Sequence, residues 1–188
     1  MKKILVGVVL VVLAAMAAAE RNDVNKSAII NADSVDVDQV TLTRVLSGNV
    51  TVERGTMRLA SDKAVVKESP EGYLSLTLTA AGGKPATFRQ KRDGVGDLWV
   101  DGQAQRIEYD EKTQLLKLLG NARVRQLDGS KITEEMDAET ITYDSRTERM
   151  TSRGDASGQK KPGDGRSTII IAPRRNAPAP APAAEGKQ

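Results

Sequence analysis

Apolar and polar residues alternate along most of the chain with the period of two that a half-buried strand imposes. Val50 and Val52 alternate with Thr51 and Glu53, and Leu74, Leu76 and Leu78 with Ser75 and Thr77. Ala122 and Val124 alternate with Arg123 and Arg125, and Ile141 and Tyr143 flank Thr142. The pattern predicts strands over 27–37, 39–46, 49–53, 56–59, 62–66, 73–81, 86–91, 97–101, 104–109 and 114–119. More follow across 120–143, over 148–152 and over 167–172. Turn signals separate them: Gly55, Pro70 with Gly72, Gly82 to Pro85, and Asp93 to Gly96. No segment beyond residue 19 sustains a 3.6-residue apolar period for more than about two turns. The expectation is an all-β protein of many short antiparallel strands, one face of the sheet packed and the other wet.

The strand pattern repeats. The stretch 48–66, GNVTVERGTMRLASDKAVV, returns as 120–143, GNARVRQLDGSKITEEMDAETITY, with its parts in the same order. Marker glycines stand at Gly48, Gly83, Gly120 and Gly154. A second marker is a small residue, then an acid or amide: Ala32-Asp33, Ser61-Asp62, Ala104-Gln105 and Ala138-Glu139, each leading an alternating strand. The repeat speaks to architecture. It assigns no residue a chemical role.

Composition adds compartment and chemistry. Residues 1–19, MKKILVGVVLVVLAAMAAA, have two lysines, an apolar run and a small-x-small end, so they read as a secretory signal peptide cut after Ala19. An uncleaved anchor is the rival reading, against which the run is short for a membrane span. Residues 20–26 are polar and expected to be disordered, 27–173 form the folded domain, and 174–188 are a disordered Ala/Pro-rich tail. The formal charge of +3 falls to +1 without the leader, which leaves 26 basic against 25 acidic residues. Charges of both signs are interspersed, which argues against nucleic acid as a partner. The chain has no Cys, so an exported form relies on its core and its sheet ladders rather than on disulfides.

The absence of His and Cys also removes a Ser-His-Asp or Cys-His arrangement and leaves zinc and redox-metal sites without their usual ligands. No phosphate-cradling loop is present, so the expectation is a non-enzymatic protein without cofactor or metal. Two acidic clusters, Asp33/Asp36/Asp38 and Glu134/Glu135/Asp137, lack the spacing of a calcium loop and read first as wet strand faces. Arg123 and Arg125 read as outward charges by the same alternation. What remains is a continuous inner face at matching parity, which includes Val35, Val37, Val50, Val52, Leu76, Phe88, Ile107, Tyr109, Val124, Ile141 and Tyr143. These side chains are aliphatic with few rings. They suit a sealed core or a channel for acyl chains, and composition does not separate the two.

Several stretches carry a resemblance to a known family: LSGNVTVERGTMRLASDKAVV, GKPATFRQ, GQAQRIEYDEKTQLLKLLGNARVRQ and a closing STIIIAP. Together with the leader they resemble the OstA-like (LptA) β-jellyroll family of lipopolysaccharide-transport proteins, over about residues 30–173. The resemblance implies an open, twisted, V-shaped β-jellyroll of about sixteen short antiparallel strands in the periplasm. It implies lipopolysaccharide as ligand, its lipid A acyl chains shielded in the groove. It implies head-to-tail self-association into a bridge between inner and outer membranes. The implied partners are inner-membrane LptC at one end and the N-terminal domain of outer-membrane LptD at the other. Phe88 and Tyr109 match motif positions and become lipid-facing on this reading, with Ile30, Val35, Val37, Val50, Val52, Leu76, Ile107, Val124, Ile141 and Tyr143 beside them. The alternatives are a membrane-anchored LptC-like relative and a structural β-repeat protein with a sealed core.

Overall fold

The computed structural model describes residues 23–154 and 165–172. The expected signal peptide and the Ala/Pro-rich tail lie outside them. Twelve strands follow in order: β1 (Ile29–Asn31), β2 (Ser34–Asp38), β3 (Thr43–Arg54), β4 (Met57–Glu68), β5 (Leu74–Thr79) and β6 (Ala86–Lys91). Then come β7 (Leu98–Ala104), β8 (Arg106–Asp110), β9 (Leu115–Asp128), β10 (Lys131–Asp144), β11 (Arg149–Arg153) and β12 (Thr168–Ile171). Every pairing is antiparallel.

Four of these strands, β3, β4, β9 and β10, are 12 to 14 residues long, and each changes partners half-way. The first half of β3 pairs with β2 and its second half with β1. The halves of β4 take β6 and β5, those of β9 take β8 and β7, and those of β10 take β12 and β11. Two layers result. The first is β2, β3, β4, β5, β8, β9, β10, β11, and the second is β1, β3, β4, β6, β7, β9, β10, β12. Each layer has eight strand positions, so twelve strands fill sixteen. The resemblance implied about sixteen short strands, and sixteen strand positions are what the twelve strands fill: the expected segments 39–46 and 49–53 contribute to one strand, β3, bent across both layers.

Within the described residues the chain crosses between layers seven times, and the repeat markers sit at the crossings. Ala32-Asp33, Ser61-Asp62, Gln105 and Ala138-Glu139 mark four of them. Gly48-Asn49 and Gly120-Asn121 mark two more, each with both residues at positive φ (77° and 46°, 78° and 49°). That pair interrupts the β3 ladder between Ser47 and Val50 and turns the strand from one layer into the other. A side chain at Gly48 would strike Asp33, and one at Gly120 would strike Gln105, so the glycine of one marker makes room for the acid or amide of the other. Backbone bonds continue the line, from Asp33 N to Gly48 O, Gln105 N to Gly120 O and Ala80 N to Gln105 O. The repeat is the bend of the fold, written once per crossing.

Side chains from both layers fill one core, which includes Leu59, Val66, Leu78, Phe88, Leu118, Val124, Ile141 and Tyr143. The Phe88 and Tyr143 rings meet across the layers at 5.8 Å. On the outer face of the second layer, charges of alternating sign stand directly opposite one another, Arg89, Asp101, Arg125 and Glu135 on four successive strands. Arg123 bonds Asp137 beside them at 2.6 Å, so both predicted outward arginines face out. Opposite charges at such positions support a sheet by about 0.2–1 kcal/mol a pair.

The stretch 20–26, expected to be disordered, holds a turn of 3-10 helix at Asp23–Asn25. Asp23 is buried and its carboxylate accepts from Thr56 N and Thr56 Oγ1, which ties this turn to the β3–β4 hairpin.

Candidate functional site

Register decides which side chains face the space between the layers, because directly paired residues share a face. In the second layer one row runs from edge to edge: Ile30, Val52, Leu59, Phe88, Gly102, Val124, Met136, Ile169. In the first layer the matching row is Val35, Leu46, Ala64, Leu78, Ile107, Leu118, Ile141, Ser152. A neighbouring row runs Val37, Arg44, Val66, Leu76, Tyr109, Leu116, Tyr143 and Met150, its one charge, Arg44, being ion-paired with Glu68 near the end of β4. All twelve predicted site residues lie on these rows or, for Val50, next to them on β3 and facing the same core. Nine of them, all but Ile30, Val35 and Val37, are between 0 and 5 % exposed. Ile30 is partly buried, and Val35 and Val37 are half exposed because no further strand covers β2.

The interior is thus a continuous, nearly all-aliphatic lining between two layers in contact. The side on which the strands cross is closed by the chain itself. On the opposite side, which we call the mouth, the first-layer turns meet the second-layer turns through side chains. Arg54, ending β3 in the second layer, is ion-paired with Glu111, just after β8 in the first. The other Glu111 oxygen accepts from Leu74 N at 2.7 Å. Arg92, just after β6 in the second layer, reaches Glu148, just before β11 in the first, at 2.5 Å, and Gln126 at 2.7 Å. A cavity of about 490 Å³ lies here, lined among others by Asp23, Arg54, Gln90, Tyr109, Arg146 and Glu148. Burial pushes the Tyr109 phenol up to about 12, against a smaller opposing effect of Arg54.

The two open edges are the other feature. In the first layer β2 and β11 pair on one side only, and in the second β1 and β12 do. β12 is exposed along its length, and Ile29, Ile169, Ile170 and Ile171 are large apolar side chains left at these edges. The strand pattern gives strands over 27–37, 148–152 and 167–172 but not their places at edges, which depend on which half of β3 or β10 each joins. The ties across the mouth were also missed, because Arg54 and Glu111 are 57 residues apart and no local pattern relates them.

Neither acidic cluster gathers a cation site. Asp33 accepts from Asn49 at 2.9 Å, while Glu135 and Asp137 are engaged with Arg125 and Arg123. Among the described residues no helix is long and apolar enough to cross a membrane.

Residues 29–162 match the model of the family described as LptA/(LptD N-terminal domain) LPS transport protein. The lipopolysaccharide export system protein LptA of Haemophilus influenzae is 29% identical over 171 residues, 91% of each chain. Its counterpart in Escherichia coli K12 is 30% identical over 139 residues, 74% of this chain and 71% of that protein. Among solved structures, LptH of Pseudomonas aeruginosa, described as the LptA-homologous periplasmic component of the lipopolysaccharide transport device, superposes with a TM-score of 0.70. It is 24% identical and covers 81% of this chain and 99% of its own, so it speaks to the fold.

Proposed function

The chain belongs to the LptA/(LptD N-terminal domain) LPS transport protein family, and we propose that it carries lipopolysaccharide through the periplasm with the acyl chains of lipid A held between its two layers. The role is transport, not catalysis. Residues 1–19 would direct export and be removed after Ala19, leaving a chain free of the membrane. The observation that carries the reading is the inner row, which runs apolar from one open edge to the other almost without interruption. Each methylene moved from water onto such a surface contributes about 0.8 kcal/mol, and no polar contact fixes the chain lengthwise. Binding is then strong in sum, and the acyl chains meet no polar hold along the row, as a conduit requires.

The open edges supply the bridge. Unpaired strands recruit strands, and a contact between two different edges propagates rather than closing on itself. Pairing β2 of one copy with β11 of the next, and β1 with β12, continues both layers and joins their inner rows. On the outward face this brings Asp36 of β2 against Arg149 and Arg153 of β11, all exposed. Opposite charge on the two edges favours head-to-tail order over head-to-head. The family description includes the LptD N-terminal domain, so an edge of the same kind is on offer at the outer membrane. LptC would take the other end.

The test is a binding isotherm of the mature protein, residues 20–188, with purified lipopolysaccharide. Saturable binding, with the lipid co-eluting with the protein, is expected. Mature protein that stays monomeric at high concentration and takes up no lipid would instead favour a sealed core, the reading suggested by the close packing of the interior. Residues 1–19 still attached in the intact mass would favour a membrane-anchored relative.

A further inference from the structure

The interior cannot admit a chain while its layers touch, since its side chains have almost no exposed surface. One side of the V is covalently continuous. What holds the other side are the Arg54–Glu111 and Arg92–Glu148 pairs, each with its arginine on the second layer and its glutamate on the first. Both arginines are largely covered by protein, and a covered guanidinium requires an anion beside it. It does not require that the anion be a carboxylate of its own chain. Each of these pairs is a single N–H to carboxylate contact, and a phosphate offers a guanidinium a bidentate acceptor with more charge.

We propose that the mouth is a docking site for a phosphate monoester on the headgroup of an acylated lipid. Arg54 and Arg92 exchange Glu111 and Glu148 for the phosphate, and the exchange unlatches the two layers. This deepens the carrier reading and rests on it. Two further observations point to a polar ligand in this place. Arg54 and Gln90 are more than nine-tenths buried, both line the 490 Å³ cavity, and Arg54 Nε and Gln90 Oε1 meet no partner among the described residues. The side chains that carry this unused donor and acceptor therefore line a space of the size that small-ligand sites have, roughly 300–1,000 Å³. Asp23, Asp93 and Glu148 on the same wall offset the charge of Arg54 and Arg146, so the mouth is not a strong attractor for free phosphate. The acyl chains must supply the remaining affinity. That selects a lipid headgroup over the inorganic ion.

The test compares lipid A with the same lipid after enzymatic removal of its phosphates, on the mature wild-type chain and on Arg92→Gln and Glu148→Gln. Wild type should prefer the phosphorylated lipid by roughly ten- to a hundredfold, the contribution of a charge-assisted contact. Arg92→Gln should lose most of that preference and retain its binding of the dephosphorylated lipid. Glu148→Gln removes the competing carboxylate and should tighten the phosphorylated lipid several-fold. If Arg92→Gln does not fold, Arg92→Lys replaces it and should give an intermediate preference. An unchanged preference in the Arg92 variant, or weakening by Glu148→Gln, overturns the proposal, as does displacement of either lipid by millimolar inorganic phosphate. Wild type that binds both lipids equally overturns the headgroup site alone, whereas wild type that binds neither overturns the carrier reading with it.

Discussion

Tyr109 shows how a single side chain reports on the mouth. It faces inward from β8, lines the cavity beside Arg54, and its phenol is raised to about 12 by burial. The raised value means that the folded protein holds this proton when the unfolded chain has lost it. The contribution of Tyr109 to stability is then constant below pH 10, where both states are protonated, and falls as pH rises from 10 towards 12. The loss is on the order of 2 kcal/mol. Chemical denaturation across that range should show it, and Tyr109→Phe should remove this part of the decline. An equal decline in the variant would mean that the phenol is not held in a dry site. At this scale the sequence was informative where parity was enough. Phe88, Tyr109 and Val124 face inward as their alternation requires, and Arg123 and Arg125 face outward. It was silent on Arg54, Arg92, Glu111 and Glu148, whose meeting depends on how turns from different layers come together.

The elements that decide assembly are the short ones at the edges. β2 presents Val35 and Val37 inward and Asp36 outward, while β11 presents Met150 and Ser152 inward and Arg149 and Arg153 outward. A second copy placed edge to edge thus meets apolar against apolar or small polar within, and acid against base without. Asp36→Lys should weaken self-association, and so should Arg149→Glu with Arg153→Glu. Combining all three changes should restore it. Cross-strand charge pairs suggest a change of roughly two- to fivefold in the association constant, readable by sedimentation equilibrium at low salt. Restoration that fails would show that the charges act on each chain separately. The edge at 27–37 was legible as strand but not as two strands. β1 and β2 flank the Ala32-Asp33 crossing and belong to different layers, a division invisible to a pattern that runs on through it.

For the whole molecule, the crossings place most of the apolar strand residues between two layers. The sequence carried those crossings openly, as Gly-Asn and as a small residue with an acid or amide. The repeat was legible before its meaning was, because a marker at a bend resembles a marker at a turn until pairing shows which strands continue through it. The same arrangement leaves a lining that ends at open edges and a mouth held by side chains, the features by which the proposed conduit would differ from a sealed core. A photo-reactive residue placed in turn at Phe88, Tyr109 and Arg123 of the mature protein, followed by irradiation with lipopolysaccharide, tests that distinction most directly. The account predicts lipid crosslinks from Phe88 and Tyr109, both buried between the layers, and none from Arg123 on the outer face. Crosslinking from Arg123 without any from Phe88 or Tyr109 would contradict it.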